Sequence, residues 1–174
     1  GTLQVHMNNL VLNNLTVNTA NSSLKVLDTA GVGSPALTLQ GTTTQNKDLT
    51  LTSNWKHQIV INKLAGTGAL NLNGNDNSVV NIGTPGGDSG TVGKISVQSD
   101  ATNATLNGTL TITGNLEAKK GTTNIAGTVD VKGEIDLAAA GNATGTILVK
   151  NGGSLTAPGM WGRSAAHLNI EKGG

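Results

Sequence analysis

The sequence has no cysteine, no phenylalanine and no tyrosine, and it has only two tryptophans among 174 residues. Without cysteine the chain can form neither a disulfide framework nor a cysteine-ligated zinc site. A globular domain of this length normally packs its core around several aromatic side chains. Here leucine, valine, isoleucine and alanine must fill the interior. Such small aliphatic side chains suit a narrow, regularly layered interior better than a round core.

Charge is also scarce, and it is balanced. The chain has 11 basic and 10 acidic residues, a formal net charge of +1 and a single arginine, Arg163. The longest run of like charge is Lys119 and Lys120. A basic stripe, which is the electrostatic footprint of a nucleic-acid-binding protein, is therefore missing. No segment reaches the roughly 18 consecutive apolar residues of a membrane-spanning helix.

A repeat of 19 residues relates the segment 108–118 to the segment 127–137. The shift places glycine on glycine twice and aligns four apolar pairs: Leu110 with Val129, Ile112 with Val131, Leu116 with Ile135 and Ala118 with Leu137. Polar residues separate the apolar positions, and this strict alternation predicts short strands with one buried face. One such unit cannot bury its own apolar stripe, whereas stacked units can, so the repeat predicts a solenoid.

Apolar triplets with the same alternation recur along the whole chain. They include the segments 10–12, 15–17, 24–26, 37–39, 49–51, 59–61, 70–72, 95–97, 147–149 and 168–170. No segment of ten or more residues has the apolar spacing of an amphipathic helix. We therefore predict an all-β fold, a single-stranded parallel β-helix with rungs, meaning full turns of the coil, of roughly 19–25 residues. An antiparallel sandwich is the rival, although it gives no reason for glycines to repeat in register.

The chain divides into a short first segment and one long solenoid segment. We interpret residues 1–7 as a cloning remnant, because they contain the His-Met pair that a start-codon junction leaves. Residues 8–174 are interpreted as a β-helix segment excised from a longer surface protein. Two polar, glycine-rich stretches, 42–48 and 84–92, predict loops that protrude from the rod, and 138–145 predicts a wide corner.

The segment 87–90 reads Gly-Asp-Ser-Gly, which matches the nucleophile loop of chymotrypsin-like serine proteases. That chemistry requires a serine next to a histidine base that an aspartate orients. His57 lies upstream, but the protease fold is a pair of β-barrels, and too little chain precedes Ser89 to build them. We interpret the motif as a glycine-rich surface loop.

Other binding motifs are incomplete. The segment 91–94 resembles part of a phosphate-binding loop, but Asp88 stands where glycine is required, and Ile95 replaces the magnesium-binding hydroxyl residue. The segment 73–77 resembles one calcium-binding repeat turn, which binds only when successive turns share ions. The three histidines, His6, His57 and His167, lack companions at metal-ligand spacing. We therefore predict no catalytic, cofactor-binding or metal-binding residues.

Two tryptophans and several carboxylates remain as candidate sugar-binding groups. Trp55 and Trp161 lie in polar or glycine-rich surroundings, where a tryptophan can stack on a sugar or cover a gap in the rod wall, and we favour the wall. Four acids suggest the carboxylate pair of a glycosidase: Glu117, Asp130, Glu134 and Asp136. They alternate with core residues, so we interpret them as solvated charges on the outer wall. Glycan-acceptor triplets begin at Asn14, Asn21, Asn103, Asn107 and Asn142.

The strands of Leu-Thr-Leu and Leu-Asn-Leu type, the Asn-Gly and Gly-Thr corners and the lack of cysteine resemble passenger regions of Gram-negative type V secreted proteins. These are the autotransporters and the two-partner-secretion adhesins. The tail 165–174 is similar to vacuolating-toxin-like passengers. The resemblance implies a right-handed β-helical stalk, an extracellular or cell-surface location, and a parent protein with an outer-membrane translocator.

The resemblance also implies a role in adhesion or aggregation, with a host surface, a bacterial surface or another copy of the chain as the partner. We predict no enzymatic activity, no nucleic-acid partner and no small-molecule cofactor. The alternative is a carbohydrate-active β-helix, either a polysaccharide lyase or a tailspike-like depolymerase. An ice-binding solenoid needs a flat threonine array. Thr109, Thr111 and Thr113 suggest one, but we expect Asp130 and Lys132 to interrupt it on the next rung.

Overall fold

A computed structural model describes residues 1–6, 9–27, 36–53, 57–75, 77–137, 145–162 and 166–174. Within these ranges the chain forms β-strands and no helix, and the strands lie on three faces of a coil. Face A consists of β1 (Thr2–His6), β4 (Ser22–Leu27), β6 (Leu49–Ser53), β8 (Ala69–Leu72), β11 (Lys94–Val97), β14 (Leu116–Ala118), β17 (Glu134–Asp136) and β20 (Gly159–Trp161).

Faces B and C alternate with face A along the chain. Face B contains β2 (Leu10–Leu12), β9 (Ser78–Ile82), β12 (Thr102–Leu106), β15 (Thr122–Ile125), β18 (Thr146–Val149) and β21 (His167–Ile170). Face C contains β3 (Leu15–Val17), β10 (Asp88–Val92), β13 (Thr109–Ile112), β16 (Thr128–Val131) and β19 (Ser154–Thr156). Two long strands, β5 (Ala36–Gln45) and β7 (Gln58–Gly66), run through the corner and belong to both faces.

All neighbouring strands pair in parallel, and the chain makes a β-solenoid of about seven turns. This confirms the predicted all-β parallel solenoid, and the antiparallel sandwich is wrong. Rungs at about 4.8 Å spacing give a rod of about 34 Å. The shortest rung matches the prediction, since Leu116 pairs with Ile135, 19 residues further on. The longest exceeds it, since Leu15 pairs with Thr43, 28 residues further on, because additional residues lie in the connections between strands.

The predicted 19-residue repeat defines the stacked core. Leu110 lies opposite Val129 and Ile112 lies opposite Val131, and all four side chains are buried. The repeated glycines also meet, because the Thr128 amide donates to the carbonyl oxygen of Gly108 at 2.8 Å. Each buried aliphatic side chain in such a column contributes about 1.5–3 kcal/mol through removal from water. The interior is thus a set of aliphatic columns parallel to the coil axis.

The two predicted loops are only partly loops. Thr42 to Gln45 continue β5, with Thr43 and Gln45 buried, and only residues 46–48 form a connection. In the second stretch residues 84–87 form a turn, while Asp88–Val92 is β10. The physical reason is that hydrogen bonds to adjacent rungs hold these segments as strands although their composition is polar.

The remaining segment assignments have mixed outcomes. Residues 2–6, which we interpreted as part of a cloning remnant, form β1, pair with β4 and place Val5 in the core. Most of the predicted wide corner at 138–145 lies outside the described residues, of which only Gly145 is described.

Candidate site on the outer surface of face A

Outward side chains on five consecutive strands of face A form one column, which we call the face A ladder. Its members are Asn71 on β8, Ser96 on β11, Glu117 on β14, Asp136 on β17 and Trp161 on β20. Each is the direct register partner of the next. The alternation of strand residues turns them away from the core, and the stacking of rungs brings them to about 4.8 Å from one another along the axis.

Glu117 is the centre of an ion-pair network in the ladder. Lys94 Nζ lies 3.3 Å from Glu117 Oε1, and Lys119 Nζ lies 3.1 Å from Glu117 Oε2. The Ser96 hydroxyl donates to Oε2 at 2.9 Å, and Ser96 is fully buried beneath these groups. Lys119 Nζ also lies 3.9 Å from a carboxylate oxygen of Asp136. Two carboxylates and two ammonium groups therefore compensate one another.

The environment of Glu117 favours its ionised form. Burial of the carboxylate opposes ionisation, but hydrogen bonds from Lys119 and Ser96, and the charges of Lys94 and Lys119, outweigh it. As a result the pKa of Glu117 lies below its usual value. A general acid must instead hold its proton near neutral pH. This carboxylate is better suited to accept hydrogen bonds than to donate a proton.

Trp161 ends the ladder with an exposed aromatic ring. Its relative exposure is 49%, whereas its neighbour Asp136 is buried to within 8%. A tryptophan combines a large apolar surface with one indole N–H donor. The ladder thus offers one apolar platform followed by a line of hydrogen-bonding groups.

The structure brings together some of the acids that the sequence suggested. Glu117 and Asp136 are register partners, and Glu134 is exposed on the same strand as Asp136. Asp130 lies on face C, where its carboxylate pairs with Lys132. Asp130 is also the register partner of Thr111, which confirms the predicted interruption of the threonine array.

Ser89, the serine of the Gly-Asp-Ser-Gly motif, lies inside the rod. Its side chain is fully buried, and its hydroxyl donates to the carbonyl oxygen of Asn107 at 2.6 Å. The interpretation of the motif as a surface loop is therefore wrong for the serine itself, because the hydroxyl stabilises a corner between rungs. His57, the candidate base, is also fully buried.

The other motif residues are distributed over several rungs. Lys94 from the phosphate-loop segment is part of the Glu117 network. In the calcium-like segment, the Gly74 amide donates to Thr102 Oγ1 at 3.0 Å, and Asp76 lies outside the described residues. His6 and His167 are exposed. Among the described residues no group of three or more histidines, aspartates and glutamates could hold a metal ion.

The remaining candidates are the second tryptophan and the glycan-acceptor triplets. Trp55 and Asn142 lie outside the described residues. Asn21 is exposed and adopts a left-handed φ of 57°, and Asn14 accepts a hydrogen bond from the Thr42 amide at 2.8 Å. Asn103 accepts one from the side chain of Asn124, and Asn107 is half-buried near the carbonyl oxygen of Ile82.

Sequence reasoning missed the network around Glu117. Lys94, Glu117 and Asp136 belong to three different rungs, and the intervals between them become meaningful only when the register is known. The signal available in the sequence was the outward position of each residue in its own strand, which does not show which strand lies beside it.

Comparison of the chain with protein-family models, with curated proteins and with solved structures finds no match. In the part of the chain that the structure describes, no helix has the length and apolarity needed to cross a membrane.

Proposed function

We propose that this chain is a structural and adhesive rod, a stalk segment of a secreted or surface-displayed bacterial protein. The solenoid fold supports the stalk role, because a coil of stacked rungs extends in one direction and keeps its side walls free. The resemblance to type V passengers supports an extracellular or cell-surface location. A host surface, a bacterial surface or a second copy of the chain would be the partner.

The observation that carries the adhesive part is the register of polar residues on the outer walls. On face B, Asn103, Thr122 and Thr146 are register partners on three consecutive rungs, and face A carries the ladder described above. Repeated hydrogen-bonding groups at one spacing allow many weak contacts to act together, so that the combined affinity far exceeds that of a single contact.

Display of the chain on a non-adherent bacterium tests this function. We expect cells that carry the chain on an outer-membrane translocator to settle faster, or to attach to epithelial cells in greater number, than cells that carry the translocator alone. A Leu110→Asp variant is the matched control, because a charge in the core column disrupts the rod without changing the outer wall. Equal settling and equal attachment with and without the chain would contradict the proposal.

A carbohydrate-active solenoid is the second candidate, and the stacked carboxylates of Glu117 and Asp136 favour it. Neighbouring carboxylates are the requirement for glycoside hydrolysis, but one of them must act as a protonated acid. The lowered pKa of Glu117 opposes that role. Binding without cleavage is therefore the function that this pair of carboxylates supports better.

A further inference from the structure

We propose that the outer surface of face A binds a neutral polysaccharide that lies along the solenoid axis, with Trp161 as the stacking platform. The inference rests on the proposed adhesive function and names the class of ligand. Its site is the face A ladder together with Lys94 and Lys119.

The platform is the first element of the site. Trp161 projects from the outer side of β20 and keeps about half of its surface in water. Covering this apolar surface is favourable by about 25 cal/mol per Å². A pyranose ring has one flat face of C–H groups, which fits the indole, and its hydroxyl groups point outward from the ring edge. Tryptophan is also among the residues that most often dominate binding energy at interfaces.

The line of polar groups beside Trp161 is the second element. Asp136 and Glu117 offer carboxylate oxygens as acceptors, and Asn71 offers both donors and acceptors. Hydrogen bonds to ionised groups are stronger than those between neutral groups. Sugar hydroxyls can donate and accept at the same time, so they match such a mixed row. A small ligand would contact one or two rungs, whereas a polymer can use all five.

The local charge selects a neutral polymer over an acidic one. The ammonium groups of Lys94 and Lys119 are already paired with Glu117, and Lys119 also reaches Asp136. An anionic sugar would have to break these pairs, which are partly desolvated, to obtain a cation. The exposed carboxylate of Glu134 on the same strand adds negative charge. Neutral hydroxyl groups can bind without disturbing the network.

Titration of Trp161 fluorescence provides the direct test. A Trp55→Phe background leaves Trp161 as the single tryptophan of the chain. The neutral probes are maltohexaose, cellohexaose and mannohexaose, and the acidic probe is hexagalacturonate. We expect a saturable change in Trp161 emission with at least one neutral probe and none with the acidic probe.

Calorimetry on variants then tests the residues. We expect Trp161→Ala to weaken binding of the neutral probe at least tenfold, and Asp136→Asn to weaken it several-fold, while Trp161→Phe retains part of the affinity. The matched control is Asp130→Asn with Lys132→Gln, which removes a similar ion pair from face C and should leave binding unchanged. Circular dichroism confirms that each variant is folded.

Four results would overturn the inference. They are no response to any neutral probe, preferential binding of the acidic probe, unchanged affinity in a folded Trp161→Ala variant, and shortening of the probe, which would favour the carbohydrate-active alternative. The display assay separates this inference from the proposed function. If cells carrying the Trp161→Ala chain adhere normally, adhesion stands and the glycan site does not explain it.

Discussion

At the scale of single residues, Gly90 shows how closely the rungs approach. Its φ is +82°, in the left-handed region that favours glycine. A Cβ at this position would lie 2.0 Å from the carbonyl oxygen of Leu64 on the rung below. Gly86 provides a comparison, because its φ is +71° but a Cβ there would meet no atom within 4 Å.

We expect Gly86→Ala to destabilise the fold by about 1–2 kcal/mol, through backbone strain alone. Gly90→Ala should cost more, on the order of 3 kcal/mol or above, because the new methyl group also overlaps a backbone oxygen that cannot move independently of β7. Urea unfolding of both variants measures the difference. Equal midpoints for the two variants would show that the rungs can separate without cost at this position.

At the scale of elements, the strands exist only as parts of the stack. β13 and β16 contain four residues each, and such short strands are not stable in isolation. Each is paired on both edges, β13 with β10 and β16, and β16 with β13 and β19. The Glu117 network adds side-chain contacts between face A strands, and it should make their association dependent on pH.

The folded-state pKa of Glu117 is lowered, so its contribution to stability is present above the unfolded value of about 4.3 and is lost as the pH falls through the folded value. We therefore expect Glu117→Gln to lower the free energy of unfolding at pH 7. At pH 3 the difference from the original protein should shrink. Urea unfolding at the two pH values measures both differences.

Glu171→Gln is the matched control for this prediction. The pKa of Glu171 is also lowered, by the Asn151 amide first and then by Lys150, but its carboxylate is exposed. Solvent screens such a pair, so the variant should change stability less. A Glu117→Gln effect of the same size at pH 3 and pH 7 would mean that packing, rather than charge, connects these strands.

At the scale of the whole molecule, stability should vary along the rod. In a solenoid each rung contacts only its neighbours, so the central rungs are supported on two sides and the end rungs on one. All four residues of β21 are exposed, with Ile170 at 63%, whereas Leu70 and Ile95 in the centre are fully buried.

Native-state hydrogen exchange should reveal this gradient. We expect the slowest amide exchange in β8, β11 and β13 and the fastest in β21, because end rungs open without unfolding of the centre. Uniform protection along the chain would contradict this expectation and indicate a single cooperative unit.

Much of the architecture could be read from the sequence. Alternation identified the inward residues of β13 and β16, and the 19-residue shift paired Leu110 with Val129 correctly. It failed at Thr43, Gln45 and Ser89, because these polar residues point inward and the apolar pattern does not mark their strands. Their burial depends on contacts with adjacent rungs, which a local pattern does not contain.

The sequence by itself determined which residues of a strand point inward, because successive side chains of an extended chain alternate between its two sides. Only the tertiary structure decided which outward residues share a column. Lys94 meets Glu117 from 23 positions earlier, and Asp136 meets Trp161 from 25 positions later. These intervals differ because the corners differ in length, and the hydrogen bonds between whole rungs, rather than any local preference, set the register that forms the face A ladder.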